Sequence, residues 1–335
     1  MWKNESYSLE KIGIEGNYKI EQIPSIPLEL LPIYNDKTHE LRTTKGSLIA
    51  TFIDEQAVAH GSYGNLYYTK RVSNKEQQIA FLKQPRLAEM NLIQEGVLQF
   101  IAQKTAEKEG IGCCIPKVYD IFWRQQKVWF SMEYIPGISV LDFFQKSDNP
   151  DRDFYCLLTQ ICLSLLCLET QLGLDHRDLK LDNLLIKQQP CSMTVKIKEK
   201  NWQFTAPFTV VILDFGFACL GSKELRGKPV INLGDGILPP MDPCPKEGRD
   251  LFQLLVSFLR YEGFTKKISP QLHTQIDNWL SIGKKSYGPM ARRWSTENWT
   301  YLVASQHDFA VPSCCPLHIL NTLLPILPNQ LNCKL

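Results

Sequence analysis

His176–Asn183 reads HRDLKLDN and Asp214–Gly216 reads DFG. A three-letter string recurs by chance, but these two stand in this order, and each follows an apolar run, Phe154–Leu174 before the first and Val210–Leu213 before the second. Their side chains suit one chemistry. Asp178 can orient and deprotonate a hydroxyl, and Lys180 can steady a transferring phosphoryl group. Asn183 and Asp214 can offer oxygen to a divalent ion, for which Mg²⁺ is the natural fit. Gly216 lets the backbone turn sharply after them. Taken singly, Asp178 and Asp214 would read as turn or cap residues. Four polar groups at this spacing outweigh that reading.

Working outward, the N-terminal side is rich in strands. The runs LIATFI (Leu48–Ile53), GSYGNLYYT (Gly61–Thr69) and QIAFLK (Gln78–Lys83) predict three short strands, with a hairpin between the first two. Gly61 and Gly64 flank that turn, where a backbone without a Cβ can approach phosphate oxygens; a plain hairpin would look the same. Lys83 ends its strand as a fixed cation. The carboxylate expected to hold it is Glu95 on the next helix, with Glu89 second. That helix is predicted over Leu87–Lys108, with Leu92, Val97, Leu98 and Ile101 on one face. Strands resume at Lys117–Phe122 and Val128–Glu133, and Tyr134–Gly137 (YIPG) breaks the pattern as a connector would.

Beyond the connector the chain turns helical. Phe154–Leu172 is a long apolar helix, and Leu184–Ile186 and Val210–Leu213 are short β-rich runs. Gly248–Glu262 holds another helix, followed by amphipathic pieces at Pro270–Ser281, Ser295–Ser305 and Pro316–Ile326. A small strand-rich half thus precedes a larger helical half, with the chemistry motifs at and just after the junction. Clefts between lobes are frequent ligand sites.

Over roughly Ser47–Glu262 the chain resembles the eukaryotic-type protein kinases, and HRDLK resembles the serine/threonine rather than the tyrosine type. The reduced C-terminal part is loosely similar to haspin-like and large-DNA-virus kinases. The resemblance implies an α+β, bilobal protein-kinase-like fold. Residues 1–46 would be an N-terminal extension. Residues 47–133 would be a lobe built on a small antiparallel β-sheet with one main helix, and 134–137 a hinge. Residues 138–335 would form a larger, mostly helical lobe, with an insertion at 187–209 and atypical C-terminal helices over 263–335. Carried over position by position, Lys83, Glu95, Asp178 and Lys180 are the catalytic set, and Asn183 and Asp214 the metal ligands. Ala59, Gly61 and Gly64 take the glycine-loop positions and Leu66 the apolar position after them. Met132 takes the gatekeeper position. Glu133 and Ile135 would meet the adenine of ATP through a backbone carbonyl and amide, with Val58 as its roof and Leu185 as its floor. Asp250 would open the large helix and buttress the catalytic loop. The implied cofactors are ATP and Mg²⁺, and the implied partner is a protein substrate.

Composition is ordinary for a soluble globular protein. The 335 residues are 44% apolar and 21% charged, with a net charge of +2, so no global field draws the chain to nucleic acid or anionic lipid. The run Lys196–Lys200 (KIKEK) reads as a solvated face. The N-terminus, MWKNESYS, has no charged head followed by an apolar core, so no secretory signal is expected. The apolar stretch before HRD carries Thr159, Gln160, Ser164 and Glu169, which favours a buried core helix over a membrane span. Eleven cysteines show no CxxC, and Cys113–Cys114 and Cys314–Cys315 are adjacent. Buried reduced thiols are the reading, with no disulfide-linked partner and an intracellular, cytoplasmic or nuclear, compartment.

Several positions depart from the family pattern. Ala59 replaces the first loop glycine. Phe81 shares a strand face with Lys83 where the family has alanine against the adenine, so its ring would crowd the pocket unless a bulge turned it aside. Val195 and Ile197 alternate with polar neighbours, so the insertion reads as an added hairpin. Phe217–Pro240 has a single hydroxyl residue, Ser222, and no APE triplet, with Leu238-Pro239-Pro240 near its expected place. Two alternatives to an active protein kinase follow: a pseudokinase serving as a binding module, and a small-molecule phosphotransferase of related fold. Control by a phosphorylated mid-loop residue is not expected, although Arg177 could receive a phosphate. Ser222→Ala should therefore leave phosphate transfer largely intact in a labelled-ATP assay; a collapse in rate would refute that.

Overall fold

The protein is described here by a computed structural model over residues 6–60, 64–74, 76–86, 92–197, 199–221, 229–233, 244–282, 285–293, 298–306 and 309–334. It divides into two units, residues 1–103 with 116–135, and residues 104–115 with 136–335. The division falls inside the YIPG stretch, after Ile135. The fold is mixed α and β.

In the first unit, β1 (Ser6–Ser8) and β2 (Asn17–Lys19) form a small antiparallel pair. Seven further strands follow. They are β3 (Ile33–Asn35), β4 (Glu40–Arg42), β5 (Leu48–His60), β6 (Gly64–Ser73), β7 (Glu76–Pro85), β8 (Val118–Arg124) and β9 (Lys127–Glu133). They close a barrel in the order β3-β4-β5-β6-β7-β9-β8. Neighbours run antiparallel except at the closure, where Ile33 pairs parallel with Trp123. The strand period of two sends alternate residues inward. Tyr34, Leu41, Ala50, Phe52, Leu82, Phe122 and Trp129 form the buried cluster inside. Tyr34 and Phe52 each lie about one ring diameter from Phe122, at 5.7 and 6.0 Å between centroids.

Two ionic arrangements complete this unit. The Arg124 guanidinium lies over the Tyr34 and Trp129 rings at 4.3 and 4.4 Å and bonds Asp36 and Glu55. Arg71 grips buried Asp120 through Nε and Nη2 at 2.6 and 2.8 Å, and Ser131 Oγ donates to the same carboxylate. Helix α1 (Ile93–Lys108) begins in this unit, and Leu92, Val97, Leu98 and Ile101 are all buried, as their spacing predicts. Gly96 permits the close approach: a Cβ there would lie 2.8 Å from Ile121 Cδ1.

Two expectations are corrected here. Part of the expected N-terminal extension is barrel wall, since β3 and β4 lie before residue 47. Strands of three residues present a single inward side chain each, Tyr34 and Leu41, too few to show a period. For the same reason the expected small antiparallel sheet is a closed barrel: its closing pair is one residue long.

The second unit contains β10 (Ile138–Ser139), α2 (Val140–Lys146) and α3 (Pro150–Leu172). Helix α3 starts with Asn149 capping the Arg152 amide and Pro150 in the first turn, and it stops at Gly173 with φ 64°. It is long and apolar enough to cross a membrane, yet 78% of its most apolar window is buried in the protein. After it come β11 (Leu174–Asp175), β12 (Leu184–Lys187), β13 (Cys191–Ile197), β14 (Lys200–Ala206), β15 (Thr209–Ile212), β16 (Cys219–Gly221) and β17 (Pro229–Asn232). The helices α4 (Arg249–Arg260), α5 (Glu262–Thr265) and α6 (Pro270–Trp279) follow. A short pair, β18 (Ser281–Ile282) and β19 (Lys285–Ser286), precedes α7 (Gly288–Ala291), α8 (Asn298–Ala304) and α9 (Pro316–Leu323), and β20 (Leu331–Lys334) ends the described chain.

The expected insertion is a hairpin, with Cys191, Met193, Val195 and Ile197 of β13 buried in strict alternation. Its second strand, β14, is the central one and also pairs with β20, a third strand that the sequence did not announce. The thiol reading is corrected as well. Cys219 and Cys244 form a disulfide across a separation of 25 residues, while nine cysteines are free. Spacing could not show this pairing, because tertiary structure brings the two together. Asp175 pairs with Cys219 across β11 and β16 and accepts the Lys246 amide two residues after Cys244. A thiol reagent applied to denatured, unreduced protein should therefore count nine thiols, rising to eleven after reduction; eleven from the outset would show the bond absent.

Candidate functional site

The HRDLKLDN loop hangs from one turn of α4. Asp250, in the first turn and 2% exposed, accepts the His176 and Arg177 amides at 2.7 and 2.8 Å. Arg249 beside it reaches back to Asp175, with Nη2 2.5 Å from Oδ2. Burial pushes the Asp175 carboxyl up to about 6, against the pull of the Arg249 guanidinium. Gln253, one turn on, donates to the Arg177 carbonyl at 2.8 Å. These bonds hold Arg177 at φ 65°, a conformation a side chain seldom adopts unless its surroundings impose it.

Within the loop the predicted groups converge. Asn183 Nδ2 donates to the Asp178 carbonyl at 2.7 Å and to Asp178 Oδ2 at 3.1 Å. Lys180 Nζ lies 3.1 Å from Asp178 Oδ1. With its nitrogen committed to Asp178, the Asn183 amide directs its oxygen away from that carboxylate. The DFG stretch is tied to the same loop through Leu213. Its amide donates to the Asn183 carbonyl at 2.8 Å, and its carbonyl meets His176 Nε2 at 2.8 Å. Leu213 is thus fixed at both ends, which ties the residue before Asp214 to the loop. Asp214 has φ 58° and accepts the Gly216 amide on Oδ1 at 3.1 Å. An amide oxygen and a carboxylate are hard ligands, so the donor set fits Mg²⁺.

The first unit carries its own predicted pair. Lys83 Nζ lies 2.5 Å from Glu95 Oε1, with both side chains buried. Residues opposite one another on adjacent strands share a face. Leu66 pairs with Lys83, and Phe81 pairs with Met132, in registers that run without a shift. Leu66, Phe81, Lys83 and Met132 therefore line one face of β6, β7 and β9, as the resemblance requires. The bulge that would have turned Phe81 aside is not present in β7; its ring meets Tyr134 edge-on at 5.2 Å. Gly64 must be glycine, since a Cβ would lie 2.6 Å from the Gln84 carbonyl, close beside the Lys83 stem. Gln99 on α1 steadies the Met132 sulfur at 3.8 Å.

The remaining purine residues fare differently. Val58 sits at a register irregularity between β5 and β6 and is 56% exposed. Ala59 pairs with Leu66 through its backbone. Ile135 is buried, and Glu133 uses its amide and its carboxylate on Lys117. Leu185 is the half-buried residue between Leu184 and Ile186 of β12, whose side chains are buried. Gly61, Glu89, Ser222 and Leu238-Pro239-Pro240 lie outside the described residues.

Three features escaped sequence reasoning. The Tyr301 hydroxyl of α8 donates to Asp178 Oδ1, and Arg177 donates through Nη1 to the Asn232 side-chain oxygen in β17. The buried Asp175–Arg249 pair is the third. Tyr301 lies in a stretch readable only as amphipathic. Asn232 lies in a segment where no sequence motif marks it.

A profile of the family described as poxvirus serine/threonine protein kinase matches residues 152–229. That stretch holds α3 from Arg152 onward, the HRDLKLDN loop and DFG. The chain is also 29% identical over 127 residues to a probable kinase, 098L, of Invertebrate iridescent virus 3, covering 37% of this chain and 23% of that protein. It is 21% identical over 154 residues to serine/threonine-protein kinase ppk16 of Schizosaccharomyces pombe, covering 46% and 21%. To serine/threonine-protein kinase cds1 of the same yeast it is 29% identical over 121 residues, covering 36% and 24%. The matches thus span less than a quarter of each of these relatives' length. Together they relate the chain to the protein kinase superfamily.

The loop anchor is testable by stability. Asp250→Ala leaves two buried amides without an acceptor, at about 1–3 kcal/mol each. Asp250→Asn keeps one acceptor oxygen, so its urea midpoint should fall by clearly less. Equal midpoints for the two variants would contradict the anchor.

Proposed function

We propose that the chain is a protein serine/threonine kinase that transfers the γ-phosphate of ATP to a protein hydroxyl with Mg²⁺ as cofactor. One observation carries the reading: Asp178, Lys180 and Asn183 are hydrogen-bonded together, and DFG is tied to the same loop through Leu213. Asp178 orients and deprotonates the acceptor hydroxyl. Lys180 offsets charge on the phosphoryl group in flight. Asn183 and Asp214 hold the metal, which when bound neutralises phosphate charge. Lys83, kept in place by Glu95, adds a point cation toward the nucleotide phosphates. Most of the catalysis then comes from positioning and charge stabilisation, because phosphoryl transfer asks for little covalent help. The serine/threonine preference rests on HRDLK and on the relatives' names.

A second reading, a pseudokinase acting as a binding module, is favoured by one observation: Phe81 remains on the Lys83 face with its ring against Tyr134. Thermal unfolding with and without Mg²⁺–ATP separates the two. A ligand at a hundred times its Kd adds about 2.7 kcal/mol of stability. A rise in Tm for the natural chain, lost in Lys83→Met, is expected. Asp178→Asn and Asp214→Asn should abolish labelled-phosphate transfer while leaving the unfolding midpoint near that of the natural chain. Transfer at the natural rate in either variant would remove the assignment.

A further inference from the structure

The Asp178 carboxylate is already occupied. Its Oδ1 receives the Tyr301 hydroxyl and lies 3.1 Å from Lys180 Nζ, while Oδ2 receives Asn183 Nδ2. An acceptor hydroxyl approaching this base needs the same carboxylate, at the oxygen not turned toward Asn183. Tyr301 reaches it from α8, across a small recess lined by Lys180, Gln253, Ser257, Arg260 and Thr300. The Phe217 ring, one residue past DFG, stands 6.5 Å from the Tyr301 ring. The phenol therefore lies where a substrate side chain would present its oxygen.

We propose that Tyr301 is an internal occupant of the acceptor position, so that α8 restrains phosphate transfer until it is displaced. This rests on the kinase reading of the same loop. The helix is suited to displacement. It has seven residues, too few to hold its shape alone, and it buries only Thr300 and Ala304. It packs on α4, the helix that anchors the loop, and its last carbonyl, Ala304, accepts from Lys246 Nζ at 3.2 Å. The group it covers is the carboxylate that the acceptor hydroxyl needs, so the restraint acts on the protein acceptor.

The test uses the full chain, Mg²⁺–ATP and dephosphorylated casein as a generic acceptor, with the natural chain, Tyr301→Phe and Asp178→Asn compared side by side. Tyr301→Phe keeps the ring and removes only the hydroxyl. A charge-assisted hydrogen bond is lost, so the KM for casein should fall or the rate rise by about tenfold, with the KM for ATP unchanged. If the natural chain transfers phosphate above Asp178→Asn and Tyr301→Phe is equal or slower, the proposal fails while the kinase reading stands. If all three are silent, the kinase reading itself fails, and the proposal with it. Recovery of phosphate on Tyr301 by peptide mass spectrometry after incubation with ATP would also overturn the proposal, since the residue would then be an acceptor and not a restraint.

Discussion

The second unit depends on two adjacent side chains at the start of α4. Arg249 and Asp250 reach back to three consecutive residues, Asp175, His176 and Arg177, and Gln253 adds a further bond to the same stretch. A helix is rigid over one turn, so these bonds fix the loop backbone as a unit. Asp250 does this with a carboxylate accepting two amides, a charge-assisted arrangement stronger than a neutral pair. The Asp175–Arg249 pair contributes differently. Burial outweighs the guanidinium at Asp175, which is the sign of a desolvation cost that the ion pair does not fully offset. Its service is to orient. The energy comes from the apolar face of α4, where Leu251, Phe252, Leu254, Leu255 and Phe258 are buried.

The first unit solves a similar problem with a sheet. Lys83 is buried, and a buried ammonium needs a partner. Glu95 supplies it, and α1 holds Glu95 because Gly96 lets the helix close on Ile121. The same unshifted ladder that places Lys83 also places Phe81 two residues earlier on the same face. A strand cannot offer one without the other. The ring is not loose: it is braced edge-on by Tyr134, which meets Tyr68 in the same way. Any purine on this face would lie against an aromatic wall, where the family has a methyl group.

Legibility in the sequence followed the range of the interaction. HRDLKLDN and DFG were readable because their chemistry demands fixed residue types at short spacing. Helix α3 and the β13–β14 hairpin were readable because each repeats its period several times. Asp250 was placed correctly by resemblance, and the bond to two amides gives that placement its physical reason. What stayed hidden depends on chain segments meeting across long separations. Barrel closure rests on Ile33 and Trp123, the third strand of the hairpin sheet on residues 331–334, and the disulfide on Cys219 meeting Cys244. Tyr301 is hidden in the same way, since 123 residues separate it from Asp178. Sequence spacing carries no record of such meetings.

The segment after DFG shows what replaces a phosphate. Arg177 could receive one, yet its guanidinium donates to the neutral amide oxygen of Asn232. Asn232 ends β17, which pairs with β16, and β16 pairs with β11 directly before the loop. Cys219 in β16 is in turn bonded to Cys244. The described part of this segment is thus held by a ladder, a side-chain hydrogen bond and a covalent bond. None of these waits for a kinase to add charge. An amide is an acceptor at every pH and in every phosphorylation state, so this lock does not toggle. Control of the proposed kinase would then act on another group, and the carboxylate of Asp178, covered by a hydroxyl from a short helix, is the group at which the Tyr301 proposal places it.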